Sequence, residues 1–278
     1  MVRGLKFWKM HGLGNDYIVV DNTDDKLRRR NLGELAKTLC QIHFSVGADG
    51  LLLACKSKVV EVKMRIFNPD GSEAEMCGNG IRCLAKFCYE NGIVKKKTFK
   101  IETLAGIKQV WLSTANDEVE SVKVDIGEPS FDRKAIPMLG EGKCINEELE
   151  VDGEFYRVTC LSVGNPHCVT FVDDVALVPL EKIGPKIESH EKFPKRVNAE
   201  FVQVLSPKEI KVRVWERGVG ETTACGTGAC ASVAASHILG KTDKKVKVRL
   251  LGGSLEVSYD GRLFMEGPAV KVFTGELF

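Results

Sequence analysis

The chain has 278 residues, 44% of them hydrophobic, a composition that excludes a disordered protein and allows one large or two modest domains. Its 40 basic residues nearly balance its 38 acidic residues, and a net charge of +2 predicts no attraction to nucleic acid or to anionic membranes. The first residues, MVRGLKFWKM, predict no signal peptide, and no run approaches the roughly 18 apolar residues that would span a bilayer.

Most of the predicted elements are strands, because short β-branched or alternating runs recur along the chain. They are predicted at 17–21, 50–55, 59–67, 246–251 and 255–260. Helices are predicted over 31–43, after Cys77, and after Cys225, where 229–239 is small and apolar on almost every side. A helix without a polar face is usually buried, so we expect a helix enclosed by a sheet.

Two similar turns indicate an internal repeat. Cys77 opens the tetrapeptide CGNG and Cys225 opens CGTG, 148 residues later. Each turn follows a strand-like run and an acidic, glycine-containing segment, and each precedes an apolar helix. Such self-similarity determines architecture, so the sequence predicts two pseudo-symmetric lobes.

The boundary between the lobes is predicted near residue 122. The stretch 112–121 is polar and turn-rich, and 126–137 contains two prolines. We therefore expect an N-terminal lobe over 1–121 and a C-terminal lobe over 122–270, with the tail 271–278 returning to the first.

The ten cysteines do not predict a disulfide scaffold in a chain of this length, and no C-x-x-C pair occurs. Without a secretory signal, we expect a cytoplasmic protein whose thiols stay reduced. Most of them, including Cys83 and Cys230 on the predicted helices, are expected to be packing residues.

Cys77 and Cys225 are different, because each is expected at a helix N-terminus. The free N–H groups and the helix dipole there favour a thiolate and can also hold a carboxylate. The following glycines allow close approach of a ligand. Two such thiols on opposite sides of one small anionic ligand could invert an amino-acid α-carbon, one as base and one as acid.

Three other chemistries and one binding role remain open at this point. His167 could activate a nucleophilic cysteine, although acyl transfer would not need two. The pair could be a redox couple, and the lobes could be an amino-acid-binding module without catalysis. A metal site is disfavoured, because His167 and Cys168 are adjacent and the other histidines are scattered.

Five motifs, in order and nearly end to end, make the chain resemble the diaminopimelate epimerase family. They are MHGLGNDYIVVD (10–21), FNPDGSEAEMCGNGIRC (67–83), LSVGNPHCVTF (161–171), RVNAEFVQV (196–204) and WERGVGETTACGTGACA (215–231). Proline racemases and PhzF-type isomerases are similar in architecture, but the paired cysteine turns suit the diaminopimelate enzymes better.

The resemblance implies an enzyme that interconverts LL- and meso-diaminopimelate on the route to lysine and peptidoglycan precursors. It implies an α+β fold with two lobes, each a mixed β-barrel-like sheet around a central helix, and a site in the cleft between them. It also implies a homodimer that uses neither pyridoxal phosphate nor a metal.

The resemblance also assigns roles to residues. Cys77 and Cys225 would be the acid and base, with His167 and Glu216 tuning the thiols. The substrate would be bound by Asn15, Asn68, Gly78, Asn79, Asn165, Asn198, Glu216, Arg217, Gly226 and Thr227. Within this set, the turn residues would donate backbone N–H groups to the α-carboxylate, and Arg217 would hold the distal carboxylate. Some family members carry glutamine where this chain has Gly50, so a side-chain contact from that position is not expected.

Overall fold

A computed structural model describes residues 3–278, which form two compact units. The first unit is the described part of Met1–Asp125 together with Glu266–Phe278, and the second unit is Ile126–Met265. The chain therefore leaves the first unit once and returns to it with its last residues.

The elements are numbered in chain order. The first eight strands and two helices are β1 (Lys6–Gly12), β2 (Asn15–Asn22), α1 (Leu32–Leu39), β3 (Gly50–Cys55), β4 (Val62–Phe67), β5 (Glu73–Ala74), α2 (Gly78–Glu90), β6 (Thr98–Thr103), β7 (Gly106–Ala115) and β8 (Glu118–Gly127). They are followed by β9 (Glu147–Val151), β10 (Glu154–Ser162), β11 (Pro166–Phe171), α3 (Leu180–Glu188), β12 (Asn198–Ser206), β13 (Glu209–Glu216), β14 (Gly220–Glu221), α4 (Gly226–Ile238), β15 (Lys245–Leu250), β16 (Gly253–Tyr259), β17 (Leu263–Gly267) and β18 (Val270–Glu276). One short 3-10 helix, Val175–Leu177, precedes α3.

The first unit contains a mixed sheet in the order β18–β1–β2–β3–β4–β6–β7–β8. Two neighbouring pairs, β2 with β3 and β4 with β6, are parallel, and the others are antiparallel. The short strand β5 pairs with the end of β4.

The second unit repeats this arrangement. Its sheet runs β9–β10–β11–β12–β13–β15–β16, with β11–β12 and β13–β15 parallel, and the short β14 pairs with the end of β13. The order of parallel and antiparallel pairs from β1 to β7 is therefore the same as that from β10 to β16. The predicted internal repeat is present in the strand pairing.

Each unit buries one helix against its own sheet. In α2, every residue from Gly78 to Cys88 is buried, and the helix contacts β1, β2, β3, β4 and β7. In α4, nearly every residue is buried, and the helix contacts six strands of the second unit. Alternating or fully apolar strands pack against these helices, which confirms the predicted sheet-dominated α+β class with buried helices.

Two local features differ from the sequence-based expectation. The helix α3 was not predicted, because Gly184 and Pro185 both disfavour a helix interior. Gly184 is needed for packing, since a Cβ there would lie 2.6 Å from the Trp215 ring. The polar stretch 112–121 is not a break but a hairpin of β7 and β8, turned by Asn116 and Asp117 with positive φ.

Candidate active site

The two cysteines of interest occupy equivalent places in the repeat. Cys77 is the N-cap of α2 and Cys225 is the N-cap of α4, both with extended backbone. The third residue after each is a glycine in tight surroundings: a Cβ on Gly80 would lie 3.3 Å from Leu52, and one on Gly228 would lie 2.9 Å from Glu200. The predicted position of both thiols at helix N-termini is confirmed.

In the first unit, Cys77 lies within a group of neutral polar side chains. Its Sγ is 2.9 Å from the hydroxyl of Tyr17, which also donates to Oδ1 of Asn15. The same Asn15 oxygen accepts from Asn79 Nδ2 at 3.3 Å and lies 3.7 Å from the sulfur. The structure therefore brings together three of the predicted site residues and adds Tyr17.

Asp49 supports this group from behind. One of its carboxylate oxygens accepts from Asn15 Nδ2 and from the backbone N–H of Asp16, both at 2.9 Å. Asp16 in turn accepts from the backbone N–H of Asp49 and forms an ion pair with Lys9. The two aspartates thus orient Asn15 and join the start of β2 to the segment before β3.

In the second unit, a buried histidine occupies the place equivalent to Tyr17. Nδ1 of His167 is 2.6 Å from Oε1 of Glu200, and its Nε2 is 2.9 Å from Oδ1 of Asn165. Both His167 and Glu200 are fully buried. Asn165 Nδ2 donates to Thr227 Oγ1, which is 3.5 Å from the sulfur of Cys225. A connected chain of polar groups therefore runs from Glu200 to the second thiol.

The electrostatics of Cys225 differ from the sequence-based expectation. Its sulfur does accept from the backbone N–H of Gly228 at 3.3 Å, as a helix N-cap should. However, burial and the carboxyl groups of Glu216 and Glu200 raise the pKa of Cys225 well above its ordinary value. The prediction of a lowered pKa is therefore wrong for this cysteine, because burial and two acidic neighbours outweigh the helix terminus.

Glu216 is itself perturbed by its surroundings. Burial raises the pKa of Glu216, although hydrogen bonds from Thr222 and Cys225 and the charge of His167 act in the opposite direction. The Thr222 hydroxyl donates to its Oε1 at 2.6 Å. Glu216 therefore lies close to Cys225, and His167 lies close to Glu216.

The remaining predicted binding residues differ from one another in exposure and in hydrogen-bond partners. The Arg217 guanidinium is exposed and donates once, to the carbonyl of Lys195 at 3.1 Å. The buried Asn198 amide donates to the carbonyl of Pro166 and accepts from the backbone N–H of Arg217, so both of its ends contact the protein. Asn68 donates to Ser72 within the β4–β5 turn. Gly78 and Gly226 are buried first residues of α2 and α4.

Sequence reasoning missed Tyr17 and Glu200. Tyr17 follows Asn15 by two residues, as His167 follows Asn165, so the repeat itself contained the signal. Glu200 is a lone acid in the otherwise apolar run at the start of β12, where a charged side chain points into the core. A buried acid of this kind usually has a partner, and here that partner is His167.

Residues 3–278 contain no group of three or more histidines, cysteines or acids arranged to hold a metal. Nor does this part of the chain include a helix that is long and apolar enough to cross a bilayer. All ten cysteines lie within residues 3–278 and none forms a disulfide, and Cys83 and Cys230 are fully buried, as expected for packing residues.

The same fold occurs in solved structures of low sequence identity. A probable proline racemase from Agrobacterium radiobacter has a TM-score of 0.73 and 16% identity, covering 99% of this chain and 93% of that chain. A PhzF-family phenazine biosynthesis protein from Bacillus anthracis has a TM-score of 0.71 and 18% identity, covering all of both chains. The fold is thus the one shared by proline racemases and PhzF proteins.

Closer sequence relatives define the family. The family model for diaminopimelate epimerase matches residues 7–131 and 159–272. A diaminopimelate epimerase of Pelotomaculum thermopropionicum is 52% identical over 275 residues, which are 98% of each chain, and one from Methanococcus maripaludis is 50% identical over 277 residues, covering 98% of this chain and 99% of its own. This chain belongs to the diaminopimelate epimerase family.

Proposed function

We propose that this chain interconverts LL- and meso-2,6-diaminopimelate: of Cys77 and Cys225, one removes the proton from an α-carbon and the other adds its own proton to the opposite face. The observation that carries the proposal is the doubled turn: each cysteine caps a buried helix and lies beside a polar group of its own unit. The names of the relatives that are about half identical to this chain support diaminopimelate as the substrate.

In this mechanism, one cysteine as thiolate removes the α-proton from one face of the carbon. The electron pair left on carbon is delocalised into the α-carboxylate, and the other cysteine as thiol gives its proton to the opposite face. Each turnover therefore converts the thiolate to thiol and the thiol to thiolate. The raised pKa of Cys225 favours its thiol form at neutral pH, which suits it to be the proton donor.

Backbone N–H groups of the two turns would stabilise the charge that develops on the α-carboxylate. The N–H groups of the first residues of α2 and α4 point out of the helix end, because no preceding helical turn supplies a carbonyl to accept from them. We assign this role to Gly78, Asn79, Gly226 and Thr227. The positive end of each helix dipole adds to the effect.

The rest of the substrate would be recognised by neutral amides and one cation. Arg217 is exposed and makes one hydrogen bond to a backbone carbonyl, which leaves most of its donor groups for the distal carboxylate. Asn15, Asn68, Asn165 and Glu216 would bind the ammonium and carboxylate groups near the reacting carbon. Asn198 would act mainly by holding the backbone of Arg217.

We infer that the active form is a cytoplasmic homodimer that serves lysine and peptidoglycan precursor synthesis. Reduced thiols suit the cytoplasm. On β18, Val270, Val272 and Phe273 are 40%, 57% and 47% exposed, an apolar strand surface that a second copy could cover. Light scattering on the purified protein should give twice the mass of one chain, 30.6 kDa; a monomer would contradict this assembly.

The test is epimerisation of LL-diaminopimelate in deuterium oxide, followed by proton NMR and chiral analysis. Wild type should form the meso isomer with deuterium at the inverted centre, and Cys77→Ala and Cys225→Ala should each lower the rate by roughly 100- to 10,000-fold. Cys55→Ala is the matched control, because that half-buried thiol lies outside the two turns and should leave the rate unchanged.

Two results would favour the competing functions. Tight binding of diaminopimelate without any solvent exchange would point to a binding module. Activity that requires an oxidised Cys77–Cys225 pair would point to a redox protein. Full activity in excess reductant, together with the loss in both cysteine variants, fits only the two-thiol epimerase.

A further inference from the structure

We propose that Tyr17 is a positioning residue for Cys77 whose hydroxyl accepts a hydrogen bond from the thiol and donates one to the thiolate. The proposal rests on the proposed function, in which Cys77 must alternate between these two forms. The resemblance to the diaminopimelate epimerase family assigns no role to Tyr17. In the sequence, its signal is its position two residues after Asn15.

The geometry places one hydroxyl between two partners. Oη of Tyr17 is 2.9 Å from Sγ of Cys77, and it also forms a short hydrogen bond with Oδ1 of Asn15. The ring is 3% exposed, so water does not readily replace either partner. A phenol has one hydrogen and can accept others, and it can therefore donate to only one of the two at a time.

Neighbouring groups fix which way the amides point. Asp49 can only accept, so Asn15 presents Nδ2 to it and turns Oδ1 toward Tyr17. Arg82 can only donate, so Asn79 presents Oδ1 to it and turns Nδ2 toward Asn15. The oxygen of Asn15 is therefore an acceptor with three available donors: the phenol, the Asn79 amide and, at 3.7 Å, the Cys77 thiol.

This arrangement serves both forms of Cys77 without moving a heavy atom. When Cys77 is a thiol, its S–H donates to Oη and the phenol donates to Asn15. When Cys77 is a thiolate, the phenol O–H rotates to the sulfur and Asn15 keeps the hydrogen bond from Asn79, 3.3 Å away. A charge-assisted hydrogen bond forms only in the second state, so it stabilises the thiolate selectively.

Tyr17 itself stays protonated. Burial, followed by the charge of Cys77 and its hydrogen bond, raises the pKa of Tyr17 well above the ordinary value. The other titratable groups that act on the ring are Cys83, whose pKa burial raises to about 12, and Asp49, which is hydrogen bonded to Asn15. The phenol therefore remains a hydrogen-bond donor and does not compete with Cys77 as a base.

Gly50 makes room for this tyrosine. Tyr17 and Gly50 are partners in the parallel pairing of β2 and β3, and a Cβ on Gly50 would lie 3.3 Å from the ring and 3.0 Å from the carbonyl of Phe67. In the second unit, the corresponding pair is His167 with Asn198. Tyr17 and His167 thus occupy the same register position of the repeat.

The experiment measures the pH dependence of Cys77 alkylation by iodoacetamide, resolved by peptide mass spectrometry, and the epimerase kinetics of the same proteins. Tyr17→Phe keeps the ring and removes only the hydroxyl. We expect the pH midpoint of alkylation to rise by about one to two pH units and kcat to fall roughly 10- to 100-fold, with a smaller change in KM. Tyr156→Phe is the control, because its hydroxyl donates to Glu154 at the surface and its loss should change neither quantity.

A second variant changes the midpoint in the opposite direction. A ring-fluorinated tyrosine at position 17 is a stronger donor of the same shape, so the alkylation midpoint should fall below that of wild type. An unchanged midpoint in both variants would overturn the proposal, as would an unchanged kcat in Tyr17→Phe. If the midpoints shift as expected but wild type never exchanges deuterium into diaminopimelate, the pairing of Tyr17 with Cys77 stands and the proposed function fails.

Discussion

The two cysteine turns have the same backbone arrangement but differ in the side chains that surround the sulfur. Leu52 in β3 contacts the first turn, whereas Glu200, 148 residues later in β12, contacts the second. A neutral phenol, Tyr17, serves the first thiol, and an imidazole, His167, lies at the same register position in the second unit.

This difference separates what the fold provides from what the side chains provide. The fold supplies a helix N-terminus, N–H groups that no carbonyl of the same helix accepts from, and a glycine for close packing in both units. The side chains then set the charge around each sulfur: Cys77 contacts a hydroxyl and an amide, whereas two carboxyl groups raise the pKa of Cys225. A chemically symmetric reaction would therefore be performed by two thiols in unlike environments.

The largest effect should come from making the second turn resemble the first. Glu200→Leu gives β12 the leucine that β3 has at the equivalent position, 52. It also leaves the buried Nδ1 of His167 without its acceptor. Removing one partner of a buried pair typically costs about 3–5 kcal/mol of unfolding free energy. Urea unfolding, monitored by circular dichroism, should show this loss of unfolding free energy.

Glu200→Gln is the matched control for that substitution. The amide keeps the shape and can still accept from Nδ1, so its loss of stability should be well below that of Glu200→Leu. If the two variants are equally stable, the carboxylate does not hold His167, and the contrast between the two turns would have to lie elsewhere.

A smaller effect is expected at Gly50, where the first unit makes room for Tyr17. Gly50→Ala brings a methyl group within 3.0 Å of the Phe67 carbonyl and 3.3 Å of the ring, distances that force a shift. Overpacking of this kind costs about 1–3 kcal/mol. Thermal unfolding should show this cost, and the alkylation midpoint of Cys77 should rise toward that of Tyr17→Phe. A Gly50→Ala protein with both properties unchanged would contradict the packing argument.

Glu216→Gln should make the second thiol more like an ordinary cysteine. After burial, the charge of Glu216 has the largest effect in raising the pKa of Cys225. Its removal should therefore move the pH midpoint of Cys225 alkylation downward. Because burial raises the pKa of Glu216 in the folded state, its ionised form costs stability at pH values above its unfolded pKa. The variant should therefore be more stable than wild type at neutral pH, and the gain should vanish as the pH falls below the unfolded pKa of about 4.3.

A gain in stability that is the same at all pH values would show that Glu216 acts through packing rather than through charge.

Asn68 is the residue of the first unit at the position of Glu216, and it donates to Ser72. Asn68→Asp is the converse substitution, which gives the first unit a carboxyl group at the repeat position that Glu216 holds in the second. It should move the alkylation midpoint of Cys77 upward, because a nearby negative charge disfavours a thiolate.

The sequence was sufficient for features that depend on local pattern. The run GLLLAC predicts β3 over 50–55 with its observed bounds, because a buried strand is a continuous apolar run between turn signals. The small apolar stretch after Cys225 predicts α4 as a buried helix. The doubled turn predicts the repeat, because the same glycine and cysteine pattern requires the same backbone.

Other features depend on contacts between distant residues. The neighbours that raise the pKa of Cys225 come from β12 and β13, and only the strand pairing brings them to α4. Tyr17 meets Cys77 because α2 packs on β2, a contact between distant parts of the chain that a single sequence does not determine. The helix α3 forms despite Pro185, since packing of its apolar face on β12 and β13 outweighs propensity.

The smallest expected effect on stability concerns two ion pairs that occur at equivalent positions of the two units. Arg65 binds Glu73 through two hydrogen bonds of 2.7 and 2.8 Å, and Arg213 binds Glu221 through two of 2.7 and 3.0 Å, each pair 148 residues from the other. Both pairs are partly exposed, so double-mutant cycles to alanine should give similar coupling energies of about 0.5–1 kcal/mol, weakened by salt.

The single substitutions should nevertheless differ between the two units. Arg213 also donates to the carbonyls of Val175 and Val178, at 3.0 and 2.9 Å, whereas no such backbone bonds are found for Arg65 within residues 3–278. Arg213→Ala should therefore cost about 1–2 kcal/mol more than Arg65→Ala, because it breaks two further hydrogen bonds. Equal costs, measured by urea unfolding, would mean that the 3-10 helix Val175–Leu177 is held by its own packing, and that these ion pairs do not distinguish the two units.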